Sequence, residues 1–404
     1  MKAGWKTVKL GDVADITSGL WKGELGDLIE AKVYRATNFI GNGELSDDKL
    51  VSIPVEVKKL TKRTLEPGDI LLEKSGGGPN QPVGRVGFFD KSEPLHSFSN
   101  FTSRLRVSKG SSLDPKFLHK YLFWTHLRGD TASMQNNSTN IRNLDLDKYR
   151  EIEIPLPPLA EQKRIVALLD EAFAAIDEAK AKAETNNENA KAVFARHLKC
   201  VFQDAPEDWI VRTIGDVCAL KSGTTVAANI EKSFGDIPYL KVADMNIPAN
   251  RNEITTSSRF LDKSDVKSAN IIPAGSTIFP KRGGAILTNK KRVTTVPICA
   301  DLNIMAAIPS DVLDSTFLYF YFLGVDMKKL GGGSSIPQIN NYDIAPLLVC
   351  LPTNIETQRQ VARKLADIRE KTQTLNMLLE QKLARLSDLK KSLLSQAFAG
   401  ELNA

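Results

Sequence analysis

"GWKTVKLGDVADITSG", residues 4–19, and "DWIVRTIGDVCALKSG", residues 208–223, are one phrase written twice in a chain of 404 residues. Trp5, Gly11, Asp12, Val13, Ser18 and Gly19 recur 204 positions later as Trp209, Gly215, Asp216, Val217, Ser222 and Gly223. Repetition is sought first because it dictates the architecture. The echo runs on: "EPGDILLEKSGG" (66–77) answers to "PAGSTIFPKRGG" (273–284), and "DPKFLHKYLFW" (114–124) to "DSTFLYFYFLG" (314–324). "LPPLAEQKRIVALL" (156–169) answers to "LPTNIETQRQVARKL" (351–365). The offset slides only from 204 to 207 and back to 196, so insertions are small and the whole chain is two copies of one unit.

Each unit has two parts. Residues 1–155 and 206–351 hold short apolar or β-branched runs, "DILLE", "GRVGFF", "SRLRV" and "STIFP", bounded by turn residues as strands require. Helices are predicted over 115–127 and 315–329, giving two mixed α/β domains. Residues 156–205 and 352–404 read as long helices. Apolar or small residues fall at Ile165, Leu169, Ala172, Ile176, Ala179, Ala183, Ala190 and Val193. In the second helix they fall at Val361, Leu365, Ile368, Leu375, Leu379, Leu386, Leu389 and Leu393. That 4,3 spacing is a coiled-coil seam, interrupted at matching places by Asn186 and Lys382. Pro206 cannot continue the first helix. The expected fold class is α+β: two mixed domains separated by two long helices packed as an antiparallel coiled coil, with a pseudo-two-fold internal repeat.

The composition, 42% apolar and 25% charged, is that of a soluble globular protein. A net charge of +6 permits a polyanionic partner without requiring one. No apolar run approaches the ~18 residues of a membrane span, and "MKAGWKTVKLGD" lacks the apolar core of a signal peptide, so a cytoplasmic protein with no membrane partner is expected. Cys200, Cys218, Cys299 and Cys350 form no metal or disulfide spacing and read as small core residues in a reducing compartment.

Two loop pairs suit nucleic acid. "PKRGGAILTNKKR" (280–292) carries Lys281, Arg282, Lys290, Lys291 and Arg292 with no acid, which fits phosphate. Its counterpart "EKSGGGPNQPVGR" (73–85) carries Lys74, Ser75, Asn80, Gln81 and Arg85; Asn and Gln match the adenine edge and Arg the guanine edge. "NNSTNIRNLD" (136–145) and "GGSSIPQINNYD" (332–343) add Arg142 and Asn340, and Arg104 lies in "FSNFTSRLRV" (98–107). Catalytic constellations are lacking. Asp69 and Glu73 are placed like a nuclease carboxylate pair, but Glu73-Lys74-Ser75 has no lysine two residues on, and the second copy has Ser276 and Pro280 instead. "KSGGG" reverses the order of a phosphate-binding loop, and His96, His119, His126 and His197 make no metal spacing. No catalytic residue, metal or cofactor is therefore expected on this chain.

The pattern resembles the specificity subunit of Type I restriction–modification enzymes. Its marks are the "W…LGDV…SG" opening of each half, "LEPGDILL" (65–72), "IPLPPLAEQKRIVALLD" (154–170) and "LKKSLLSQAFAGEL" (389–402). The resemblance implies two target recognition domains, each reading one half of a bipartite, asymmetric site in double-stranded DNA. It implies helices that set the spacing and dock two methyltransferase (modification) subunits, at Pro158, Glu161, Gln162, Arg164, Gln358, Arg359 and Phe398 in this chain. Restriction (motor-nuclease) subunits would join them, with S-adenosylmethionine, ATP and Mg held by the partners. "LPTNIETQRQ" departs from the pattern by lacking the Pro-Pro and Glu-Gln pairs kept by Pro157, Pro158, Glu161 and Gln162, though Gln358 remains, so a less regular second dock is expected. The alternative reading is a non-catalytic coiled-coil scaffold whose end domains bind proteins.

Overall fold

The computed structural model describes residues 4–23, 26–78, 81–138, 141–330 and 337–402. The opening phrase acts as a clasp in both halves. Strand Lys6–Lys9 pairs antiparallel with Glu153–Leu156, which leads directly into the first long helix, Leu159–Phe202. Strand Ile210–Thr213 pairs in the same way with Leu348–Leu351, ahead of the second long helix, Ile355–Ala399. The buried Leu10 donates its N–H to Ile152 O at 2.9 Å, and Ile214 to Leu347 O at 2.8 Å. The start of each domain is thereby tied to the root of its helix.

Each domain is built on an antiparallel sheet of common order. In the first the strands run Ala14–Ser18, Thr102–Val107, Asp69–Glu73, Val86–Phe89. In the second they run Cys218–Ser222, Ile304–Pro309, Thr277–Pro280, Arg292–Thr294, with Glu253–Ile254 added parallel at the edge. Helix Pro115–Arg128 is capped by Asp114, whose side chain accepts from Phe117 N at 3.0 Å, and it buries Phe117, Leu118 and Leu122. Asp314 caps Ser315–Gly324 in the same manner. This second helix stops short of the expected residue 329: Asp326 accepts from Lys328 N and caps a separate 3-10 turn, Met327–Lys329.

The chain divides into two compact units, Met1–Ala183 with Gln381–Ala404, and Glu184–Glu380. Each unit thus holds one domain with a portion of both long helices, where the sequence suggested four consecutive segments. The cause is side-chain packing. In the first unit Ile165, Leu169 and Phe173 share a core with Leu394, Ala397 and Phe398. The helices there run antiparallel, since Arg164 donates to Leu402 O at 3.0 Å and Lys390 to Asp177 at 3.2 Å. In the second unit Leu198 joins Ala362 and Leu365.

The seam is broader than a 4,3 stripe because the portions of both helices in each unit pack against that unit's domain as well as against each other. Ile165, Leu169, Ile176, Ala183, Ala190, Leu365 and Leu379 are buried as expected. Val193, Leu375 and Leu389 are exposed instead, while Phe173, Leu198 and Leu394 are buried. Asn186 and Lys382 are exposed and interrupt nothing; elsewhere in the helices, the side-chain oxygens of Asn187 and Asn376 are buried without a partner among the described residues. Cys218 and Cys299 are core residues, whereas Cys200 is exposed, on a helix face the seam does not use. Among the described residues no helix is long and apolar enough to cross a membrane.

Candidate nucleic-acid interface

The "SG" that closes the repeated phrase builds the centre of each site. Ser18 ends its strand and accepts a hydrogen bond from Lys74 Nζ at 2.9 Å. Ser222 accepts from Lys281 Nζ at 2.8 Å. The glycine that follows lets another chain segment cross against it. A Cβ on Gly19 would stand 2.1 Å from Ser99 O, and one on Gly223 2.2 Å from Asp301 O, inside any allowed contact.

Around each lysine three loops meet. Lys74 N donates to Phe101 O at 3.0 Å, and Leu144 N donates to Lys74 O at 2.7 Å. Lys281 N donates to Asn303 O at 2.8 Å, and Ile339 N to Lys281 O at 2.9 Å. The Gly-rich loops and the segments before the long helices, far apart in sequence, therefore lie side by side in each unit. Burial lowers the pKa of both ammonium groups. Among the described residues neither forms an ion pair with a carboxylate.

The flanking side chains differ. In the first unit Ser75–Gly77 pairs with Asn143 and Arg142; Ser75 donates to Asn143 Oδ1 at 2.6 Å and Arg142 to Gln135 Oε1 at 3.4 Å. Gln81 and Phe101 are exposed beside them. In the second unit Arg282 is exposed and bridges to Gln338. Gln338 Nε2 donates to Asn340 Oδ1 at 2.7 Å, and Asn340 Nδ2 to the hydroxyl of Tyr342 at 2.8 Å. Tyr342 is 73% exposed, so this chain of polar groups is presented outward.

Several expected contacts are engaged inside the fold. Arg85 closes both arms on Glu73 at 2.7 Å and also donates to Ala36 O and Phe39 O. Arg104 is 7% exposed and held by Asp15 at 3.1 Å. Lys291 is 2% exposed, donates to Val325 O at 2.6 Å and Asn289 Oδ1 at 2.7 Å, and is pushed down to about 8 by burial. Arg292 donates to Asn250 O at 2.6 Å and Met245 O at 3.1 Å. These four are corrections to the sequence reading: their charge holds neighbouring main chain or answers a carboxylate of the same domain. Lys290 is half-buried and bonded to Asn246. Asn80 lies outside the described residues. The suspect carboxylates are both committed, Asp69 to Arg106 at 2.7 Å and Glu73 to Arg85 at 2.7 Å.

The helix roots also revise the expected dock. Gln162 and Gln358 are fully buried. Gln162 accepts from Asp114 N at 2.7 Å and donates to Ser112 O at 2.9 Å and Pro157 O at 2.8 Å. Gln358 accepts from Asp314 N at 2.8 Å and donates to Val312 O at 3.0 Å and Pro352 O at 2.8 Å. Both clip the helix to its domain. Phe398 is packed among Phe117, Tyr121 and Trp124 at ring separations of 5.4, 5.0 and 5.3 Å. None of these three can be an exposed contact. Arg164 pairs with Glu161 at 2.8 Å, and Arg359 lies 3.4 Å from Asp314; Pro158 is exposed. Sequence reasoning passed over Ser18, Ser222, Asn143, Gln338 and Tyr342. The two serines stood in the repeated phrase itself.

The model of the family described as "Type I restriction modification DNA specificity domain" matches residues 2–186 and again 206–385. The type I restriction enzyme StySPI specificity subunit of Salmonella potsdam is 25% identical over 99% of this chain and 90% of its own length. The EcoKI specificity subunit of Escherichia coli K12 is 25% identical over 92% of this chain and 82% of its own. Among solved structures, a chain from work on complex assembly and conformational transition of the type I R-M system superposes with a TM-score of 0.76 over 100% of this chain and 99% of that one, at 18% identity. The HsdS subunit from Thermoanaerobacter tengcongensis gives a TM-score of 0.60 over 100% and 98%, also at 18% identity.

Proposed function

Because this chain belongs to the Type I restriction modification DNA specificity domain family, we propose that it is the non-catalytic, sequence-reading subunit of a type I restriction–modification enzyme. Each unit reads one half of a bipartite site in double-stranded DNA. The observation that carries this is the repeated three-loop platform around a Lys–Ser pair, with constant framework and different flanking side chains. Loops on a rigid scaffold vary freely, and base edges are discriminated by side chains on such loops. Arg282, Gln338 and Asn340 offer donors and acceptors in the second unit; Ser75, Asn143 and Arg142 do so in the first.

The long helices set the gap between the half-sites and carry two modification subunits, with restriction subunits joining them. S-adenosylmethionine, ATP and Mg belong to those partners. The docking surface includes the exposed Pro158 and the half-exposed Glu161 and Arg164 near the helix roots. Co-expression with the modification subunit, followed by methylome sequencing of the host, tests the reading. Methylation confined to one asymmetric motif with two short specified parts and an unspecified gap is expected. A continuous motif, or none, would overturn it.

A further inference from the structure

Resting on the DNA reading above, we propose that Lys74 and Lys281 are matched phosphate anchors. Each grips one backbone phosphodiester of the duplex together with the hydroxyl of Ser18 or Ser222, at the same place in the two units. The lysines are the constant grip, and the side chains around them are the variable readers.

Both ammonium groups carry unanswered charge. An ammonium group has three donors, and among the described residues Lys74 and Lys281 each make one side-chain hydrogen bond, to a neutral hydroxyl. A buried charge normally has a counter-charge or several polar partners. The other buried cations follow that rule: Arg104 meets Asp15, Lys390 meets Asp177, and Lys291 meets two oxygens. Lys281 is as enclosed, at 7% exposure, yet has no carboxylate partner among the described residues. Lys74 repeats the arrangement at an equivalent position in a domain with quite different loops. Conserved geometry on both sides, despite diverged surroundings, marks a requirement common to both half-sites. The phosphate backbone is what two different sequences share.

The approach runs along the serine side: Ser18 and Ser222 are exposed, and among the described residues a Cβ on Gly78, Gly283 or Gly284 in the same loops as the lysines would meet nothing within 4 Å. A phosphate oxygen arriving there can accept from the two spare ammonium N–H groups. The serine hydroxyl, accepting from the lysine, is left free to donate its own hydrogen to the same phosphate. The ligand's negative charge also relieves the desolvation that lowers both ammonium pKa values.

The test uses the full chain assembled with its modification subunits on a duplex carrying its site. Affinity is measured across salt for wild type, Lys74→Met, Lys281→Met and the double variant. Each single change should reduce the slope of log affinity against log salt by about 0.9, and the pair by about 1.8. The ratio of cognate to mismatched binding should stay constant, and Lys→Arg should restore most of the slope. A scan of single methylphosphonates read on the unaltered chain needs no variant. It should find one sensitive phosphate in each half-site, at corresponding positions, and these should become insensitive in the matching Lys→Met variant. Unchanged slopes with a lowered unfolding midpoint, or a scan without the two positions, would make the lysines internal pins and overturn the proposal while leaving DNA reading intact. Wild-type assembly that bound duplex without salt dependence would remove the reading itself.

Discussion

Lys281, Arg282 and Lys291 sit within one basic loop and occupy three different environments. Arg282 is exposed, Lys281 is enclosed beside a hydroxyl, and Lys291 is enclosed by main-chain and amide oxygens. Burial holds the Lys291 pKa at about 8, below its unfolded value of ~10.4. The native state therefore binds fewer protons than the unfolded chain between those values, and this group's contribution to stability rises as pH climbs through that window. Urea denaturation at pH 7.5 and pH 9.5 should show wild type gaining on Lys291→Met, with duplex affinity of the folded variant unchanged. Arg282→Ala should act oppositely, leaving stability within about 0.5 kcal/mol and weakening DNA binding. If Arg282 reads a guanine, the loss is about 1–3 kcal/mol at one position of the site; if it touches phosphate, the loss is uniform and the salt slope falls by about 1. Binding of a mismatch panel separates the two. The basic run was legible as residues, but which cation faces solvent was not. Lys291 is enclosed by Val325, 34 positions away, and no local pattern announces such a contact.

At the scale of elements, the glutamine clips make the clearest forecast. Gln162→Ala would strand the buried N–H of Asp114 and the carbonyls of Ser112 and Pro157. A buried group left unsatisfied costs about 1–3 kcal/mol, so a lower urea midpoint is expected. Gln358→Ala should lose a similar amount, because its bonds are the same three in kind. A loss of partner assembly without loss of stability in either variant would return these residues to the dock. The helices themselves were readable from their period: Leu159–Phe202 and Ile355–Ala399 fall within the expected 156–205 and 352–404, and the first ends before Pro206. Their buried stripe was only half readable. A heptad pattern describes one partner, and the helices pack against domain residues as well: in the first unit the first domain draws in Phe173 of the first helix and Leu394 and Phe398 of the second. The strands "DILLE" and "STIFP" were found correctly because their apolar runs lie between turn residues, as Asp69–Glu73 and Thr277–Pro280.

For the molecule as a whole, the repeat told the architecture, and it told little about the reading surface. Loops near 75, 101 and 142 converge only once the sheet and helix roots are built. Both clasp strands of the second domain, Ile210–Thr213 and Leu348–Leu351, lie within residues 206–351. Replacing that segment with the matching one from another family member should therefore carry over a complete domain. The expected methylome shows a hybrid motif, with one half-site new and the other retained. A motif altered in both halves would mean that the domains do not read independently. The clips bear on how such proteins change over time. Gln162 and Gln358 bond only to main-chain atoms of their domains, N–H and C=O groups that every sequence supplies. These clips, unlike the apolar packing beside them, are therefore blind to side chains. After an ancestral unit was duplicated, each copy could drift in its reading loops to a new half-site with its clip intact, and recombination between related genes could exchange domains without the clip having to coevolve.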